Sequence, residues 1–349
     1  MPAPPRPLLA ALTGDEEVEA LFADAADLRA ILQFEGALAE AEADAGLIPE
    51  AAASRIAQVC KSFEPDWAGL AEGLATDGVV VPALVRQLRL AVGDEFGAAV
   101  HRGATSQDAI DTSLILRLAQ LIQILEARLT ALQRGLDEMA EKAGSLELMA
   151  HTRMQVALPV TLADKIASWS EPLGRHRQSL AATRRRLLVI QLGGPVGNRA
   201  SFDDKGDEVA RRLAQRLDLG LASPWQSQRD PLVEFGSLLS LISGSLGKFG
   251  ADIALLAQNE VEAVTLEGGG GSSAMAHKSN PVNAEVLVAL ARHNAGLAGT
   301  LHQALVHENE RSGAAWTLEW LTLPQMAVTA GASLRLAAAL LGQVKFRQA

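Results

Sequence analysis

The 349-residue sequence predicts an all-α protein built on a long central helical bundle. Three observations carry that prediction. Apolar residues recur three and four positions apart through most of the chain, which is the signature of amphipathic helices. Sustained period-2 runs rich in Val, Ile and Thr are missing. Across residues 111–142, Leu114, Leu118, Leu121, Leu125, Leu129, Leu132, Leu136 and Met139 form one continuous seam. At about 1.5 Å per residue that segment is a rod of roughly 48 Å, longer than one small domain needs to cover its own core. Such a length points to packing against other subunits.

Taken in order, the chain opens on Met1-Pro2-Ala3-Pro4-Pro5-Arg6-Pro7, which reads as a short extended tail. Up to about residue 100 the helical patterns are short, punctuated by Gly46, Pro49, Pro65, Gly69, Gly73, Gly78, Pro82 and Gly93. Residues 1–97 are therefore read as a smaller N-terminal helical domain, and 98–349 as the long-helix domain that carries the chemistry. After the leucine seam, residues 155–192 are interrupted by Pro159 and Pro172, so kinks or breaks are expected there. Two long helices are expected over 231–264 and 281–307, each opening on a proline that follows Asp230 or Asn280 as a cap. In the second, Val286, Leu290, Leu297, Leu301 and Leu305 are interleaved with Ala and Gly, which permits close helix approach. A fifth long helix runs over 318–344, with Pro324 inside it.

A net charge of -10 and a pI near 5.3 argue against nucleic acid as the main partner, since phosphate backbones demand a basic face. Any anionic substrate must then be held by local cations. Arg184-Arg185-Arg186 does not change this, because consecutive helical positions splay around the axis into a solvated face. The single cysteine, Cys60, has no partner for an internal disulfide and reads as a core residue, which fits a reducing cytoplasm. The N-terminus is too proline-rich for a signal peptide, and the most apolar window, 232–246, contains Glu234 and falls short of a bilayer span. Neither a membrane role, a metal site nor a cofactor is expected.

Residues 268–281 read Gly-Gly-Gly-Gly-Ser-Ser-Ala-Met-Ala-His-Lys-Ser-Asn-Pro, and they are the most informative stretch. Four glycines allow close approach of backbone to a ligand, and hydroxyls, a lysine, an asparagine and a histidine follow. A phosphate loop would need Gly-Lys-Ser/Thr, and a flexible linker would not end in such a tail. A second segment is His101-Arg102-Gly103-Ala104-Thr105-Ser106-Gln107-Asp108, just before the seam. Thr105 and Ser106 can cap the helix, and the free N–H groups of its first turn attract a carboxylate. The third is Met149-Ala150-His151-Thr152-Arg153-Met154-Gln155. Here Arg153 can clamp a carboxylate, while His151 is either structural or catalytic. Arg229 stands beside Asp230 at a helix entrance, either in a local ion pair or on the substrate. Arg311 precedes a Trp-rich turn whose Trp316 and Trp320 read as packing residues.

The run Gly271-Ser272-Ser273-x-Met275-x-x-Lys278-x-Asn280-Pro281 resembles the signature of the fumarase/aspartase superfamily, with Ala276 where that family usually has proline. The 101–112 segment, Gly193-Gly194-Pro195-Val196-Gly197, the 225–230 segment and the 310–320 segment are similar to other superfamily pieces. The resemblance implies β-elimination next to a carboxylate, or its reverse, through an aci-carboxylate. It also implies a homotetramer on a twenty-helix core, with three motif regions from three subunits meeting at each site. A small C-terminal helical domain carried by many relatives is not expected within these 349 residues.

Departures narrow the reading. In place of Gly-Arg-Thr-His-x-Gln, this chain has His151 at the arginine position and Arg153 at the histidine position, so the usual general acid is absent. Thr76-Asp77-Gly78 replaces Thr-x-His-Asp, which speaks against purine substrates. The pattern most resembles the lactone-forming branch, which adds one carboxylate of a tricarboxylate diene across a double bond in aromatic-compound breakdown. There the leaving group of the reverse reaction is already a stable anion, so it needs no acid. The resemblance assigns proton transfer to Ser272, with His151 as competitor, and gives Lys278 and Asn280 the carboxylate on which charge develops. Thr105, Ser106, Arg153, Gln155, Arg229 and Arg311 share the other two carboxylates, and Gln107, Ser273 and Met275 complete the binding set. Another superfamily lyase and a non-catalytic helical scaffold stand as the competing readings.

Overall fold

The computed structural model describes residues 7–271, 274–275 and 278–347, and it is predominantly helical. Two short helices, α1 (Ala10–Thr13) and α2 (Glu16–Leu21), lead into α3 (Asp24–Asp44), α4 (Glu50–Ser62), α5 (Trp67–Asp77) and α6 (Val81–Val92). The long helices follow: α7 (Ser106–Ala143), α8 (Leu162–Leu187), α10 (Asp230–Leu256), α11 (Val282–Gln303) and α12 (Gly313–Gln343), with the short α9 (Gly206–Leu217) between α8 and α10. The leucine seam is the inner face of α7: its leucines from Leu114 to Leu136 are all buried, and Met139 is half-buried at the end.

Around that seam, α7 packs on α8 and α12, and α10 packs on α8, α11 and α12. Small residues on both helices bring α10 and α11 together, Gly247 against Ala291 and Gly250 against Ala284. A side chain at Gly250 would put its Cβ 2.6 Å from the Ala284 carbonyl oxygen, so only glycine fits. By length and composition α10 and α12 could cross a bilayer, but half or more of each apolar window is covered by the bundle. Their apolarity is that of core helices.

Three features differ from the sequence reading. Residues 147–161 form a β-hairpin, β1 (Glu147–Thr152) against β2 (Gln155–Thr161), and not the start of a broken helix. Pro159, which cannot donate to a ladder, faces Met149 where the register shifts, and β-branched Val156, Val160 and Thr161 favour the strand. Helix α8 begins only after Thr161, whose side chain accepts from the Asp164 N–H in a capping box. Second, α10 ends at Leu256, and a short strand, β3 (Val264–Leu266), then pairs with β4 (Val344–Phe346). Third, the core of α3 to α6 is not closed by residues 1–97 alone: Ile190, Leu192, Phe202, Val209, Leu213, Leu217 and Trp316 complete it.

Candidate active site

The start of α7 is organised by a carboxylate. Asp108, fully buried, accepts from the N–H groups of Thr105 (3.0 Å), Gly193 (2.7 Å) and Gly194 (2.9 Å) and from Gln191 Nε2 (3.1 Å). Burial pushes its carboxyl up to about 6, against these donors, which favour the charged form. One side chain thus ties the helix N-terminus to the Gly193-Gly194 turn. The approach is tight at Gly103, where φ is +70° and an added Cβ would lie 2.6 Å from the Phe202 ring. Thr105 is the N-cap, and both it and Ser106 are half-buried, with the free first turn of a long helix behind them.

Gln107 is wholly buried and engaged at both ends of its amide. Its Nε2 donates to the Gln226 carbonyl (2.8 Å), and its Oε1 accepts from Arg311 Nε (2.8 Å). Gln107, expected in the binding set, has both ends of its amide occupied in this chain, and one of them holds Arg311. Arg311, itself exposed, also donates to the Pro195 carbonyl at 3.3 Å. Segments 103–108, 193–197, 225–226 and 311, far apart in sequence, therefore converge at one end of α7. They offer hydroxyls, helix N–H groups and a guanidinium, which is an anion-binding set.

Arg229 lies deep in the structure, its side chain fully buried, bonded to Asp111 through Nη1 (2.6 Å) and Nη2 (3.1 Å) and to Glu319 through Nε (2.8 Å) and Nη2 (2.6 Å). Its guanidinium also lies 4.8 Å from the centre of the Trp225 ring. Its partners are Asp111 and Glu319 and not the neighbouring Asp230, and both forks of the guanidinium are spent on those two carboxylates. Burial alone would raise the Glu319 carboxyl, but Arg229 and then His307 hold it below the ordinary carboxylate range. Trp316 donates to Asp111 at 3.0 Å and stacks at a tilt on Trp320, 4.6 Å between centres, as packing residues do.

The second segment lies at the tip of the hairpin. Thr152 and Gln155 pair, so Arg153 and Met154 form a two-residue turn, and both have positive φ, 48° and 66°. Such turns normally take Asn-Gly, and two side-chain-bearing residues there hold local strain of about 1–3 kcal/mol each. Arg153, Gln155 and His151 are exposed; His151 Nδ1 lies 3.1 Å from the Met149 carbonyl, and Gln155 Nε2 donates to the Met154 carbonyl at 3.1 Å. These bonds stay inside the hairpin.

The glycine-rich segment closes at a neck, where Gly270 and Asn280 exchange backbone hydrogen bonds of 2.9 and 2.8 Å. Asn280 Nδ2 reaches the Gly271 carbonyl at 3.4 Å, the Lys278 N–H donates to the Met275 carbonyl at 3.1 Å, and Lys278 and Met275 are exposed. Ser272 and Ser273 lie outside the described residues.

Sequence reasoning passed over Asp111, Gln191, Gln226 and Glu319. Asp111 had a visible signal: it falls on the stripe that continues as Leu114 and Leu118, so a carboxylate there had to be buried and paired.

The profile of the lyase family matches residues 13–296. The 3-carboxy-cis,cis-muconate cycloisomerase of Pseudomonas aeruginosa is 44% identical over 331 residues, covering 93% of this chain and 72% of that protein. An N-acetyl-S-(2-succino)cysteine lyase of Enterococcus italicus is 35% identical over 95% of this chain and 74% of its own length. Among solved structures, the 3-carboxy-cis,cis-muconate lactonizing enzyme from Pseudomonas putida superposes with a TM-score of 0.92 at 41% identity, covering 98% of this chain and 77% of that one. The chain belongs to the lyase family of the fumarase/aspartase superfamily.

Proposed function

We propose that this protein is a 3-carboxy-cis,cis-muconate cycloisomerase, closing 4-carboxymuconolactone from the tricarboxylate diene during protocatechuate degradation. The reading is carried by the 44% identity to a cycloisomerase along almost the whole chain, together with an anion-binding set at the start of α7. In the reaction one carboxylate oxygen forms a C–O bond to an alkene carbon. The π electrons move onto the carbon next to a second carboxylate as an aci-carboxylate, and that carbon then takes a proton. Only an electron pair and a proton move, so the chemistry calls for no cofactor.

The first-turn N–H groups of α7, with Thr105, Ser106 and Arg311, hold one substrate carboxylate, and Lys278, Asn280 and Met275 approach another from the glycine-rich segment. Arg153 and Gln155 meet the third from the hairpin, whose strained tip keeps the guanidinium presented. Ser272, with Ser273 beside it, delivers the proton, and His151 is the alternative donor. As the resemblance implies, the hairpin, the glycine-rich segment and the α7 end come from three copies in a homotetramer working in the cytoplasm.

Mixing the purified protein with 3-carboxy-cis,cis-muconate and following the conjugated-diene absorbance tests this. Loss of absorbance with lactone formation is expected. An unchanged spectrum, with fumarate released from adenylosuccinate or from a succino-thioether, would move the protein to another lyase of the superfamily.

A further inference from the structure

Helix α3 carries two carboxylates, Glu35 and Glu42, seven residues apart and so on one face. Both are buried, at 1% and 0% exposure, a costly placement for acids unless something is held in return. What faces them is the segment leading into Thr105 and Ser106. His101 Nδ1 lies 2.6 Å from Glu35 Oε1, and Arg102 Nη1 lies 3.7 Å from Glu42 Oε1. His101 has φ +60°, a left-handed backbone that a residue with a side chain adopts only when its surroundings impose it. Gly103 follows at φ +70°, with Ser201 Oγ donating to its carbonyl. Just upstream, Arg89 Nη2 donates to the Val100 carbonyl at 3.2 Å.

We propose that Glu35 is a positioning residue for the lyase reaction: through His101 it fixes the turn at 101–104 that aims Thr105, Ser106 and the first N–H groups of α7 at a substrate carboxylate. The proposal rests on the reading of that helix start as an anion site. Burial by itself would lower the His101 imidazole, but Glu35 outweighs it and raises it, so the pair favours the charged ring. The other charged or titratable groups around the pair are Glu42 on α3, Cys60 on α4, Arg89 on α6, Asp108 on α7, and Arg102 with its partner Asp203. Asp108 adds to the rise and Arg89 opposes it. A raised imidazole keeps its charge below its own pKa and loses it as pH climbs through that value, so the grip weakens on the alkaline side.

The test compares the full-length protein with E35Q, E35D and H101Q. For E35Q, KM for the diene should rise about tenfold with kcat within about threefold, the size of one lost charge-assisted hydrogen bond, and the alkaline rise in KM should begin at a lower pH than in the parent. E35D should recover part of the loss, and E35Q/H101Q should be no worse than the weaker single variant. An unchanged KM, a loss confined to kcat, or losses that simply multiply in the double variant would overturn the proposal. Nitrogen-15 NMR of histidine-labelled protein, with and without propane-1,2,3-tricarboxylate, gives a readout independent of turnover. If the parent leaves the diene untouched, the functional reading fails; if the His101 titration is also the same in E35Q as in the parent, the pairing fails with it.

Discussion

Replacing Arg229 by methionine, close to it in volume and without charge, separates a structural guanidinium from a substrate clamp. In the parent it satisfies four acceptor contacts on Asp111 and Glu319, all with buried partners. Removing it strands two carboxylates at 0% and 1% side-chain exposure, and breaking a buried ion pair from one side costs about 3–5 kcal/mol. With an unfolding slope near 3 kcal/mol per molar urea, the midpoint should fall by about 1–2 M. Neutralising the partners as well, with Asp111→Asn and Glu319→Gln, should restore most of that loss, because no uncompensated charge then remains. The assay is urea unfolding followed by circular dichroism, run beside diene kinetics. A variant that unfolds at the parent midpoint while KM rises steeply would show Arg229 on the substrate and refute the reasoning.

Arg311→Ala should lower the unfolding free energy by about 1–2 kcal/mol, because the buried Gln107 Oε1 loses its donor, and lower kcat/KM about 30- to 100-fold, as for loss of a charged hydrogen bond to an anion. Gln107→Leu should reproduce part of that kinetic loss, since Arg311 then keeps only its bond to Pro195. Glu42, with burial as the main cause, is pushed up to about 8 from an ordinary 4.5, so the folded state favours its neutral form. Its stability contribution is therefore complete below about 4.5 and lost as pH rises toward and through about 8. Thermal melts should show the parent weakening between about pH 4.5 and 8 and levelling above it, with Glu42→Gln flattening that slope, by up to about 5 kcal/mol at the alkaline end. Exchanging Arg153-Met154 for Asn-Gly should stabilise the hairpin turn by about 1–2 kcal/mol while abolishing most turnover, which melting and kinetics together will show.

The long helices were legible where the buried stripe repeats in the sequence: the leucines of α7 sit where their spacing says, whereas of the α11 positions read as a stripe Leu290 and Leu301 are buried and Leu305 is exposed beyond the helix end. The hairpin was not, since seven residues of β2 alternate weakly and Val156 and Leu158, both exposed, mimic an apolar run. Residues 190–217 gave no sign that they close the core under α3, because pairings across more than a hundred residues leave no local period. Within the site, residue type revealed the anion chemistry but not direction. Gln107, Arg229 and Arg311 are all polar residues beside family-like pieces, yet only Arg311 presents an open edge, and what decides this is which carboxylates and carbonyls the fold sets opposite each.

The central claim, that Arg311 at the α7 end and Lys278 in the glycine-rich segment serve one site from different copies, is tested most directly by mixing two inactive proteins. Arg311→Ala and Lys278→Ala variants are to be unfolded, combined in equal amounts and refolded together. If the two side chains come from different chains, random tetramers contain about a quarter of sites free of both lesions, and diene turnover returns to about that share of the parent. If they come from the same chain, every site carries a lesion and the mixture stays as inactive as its components.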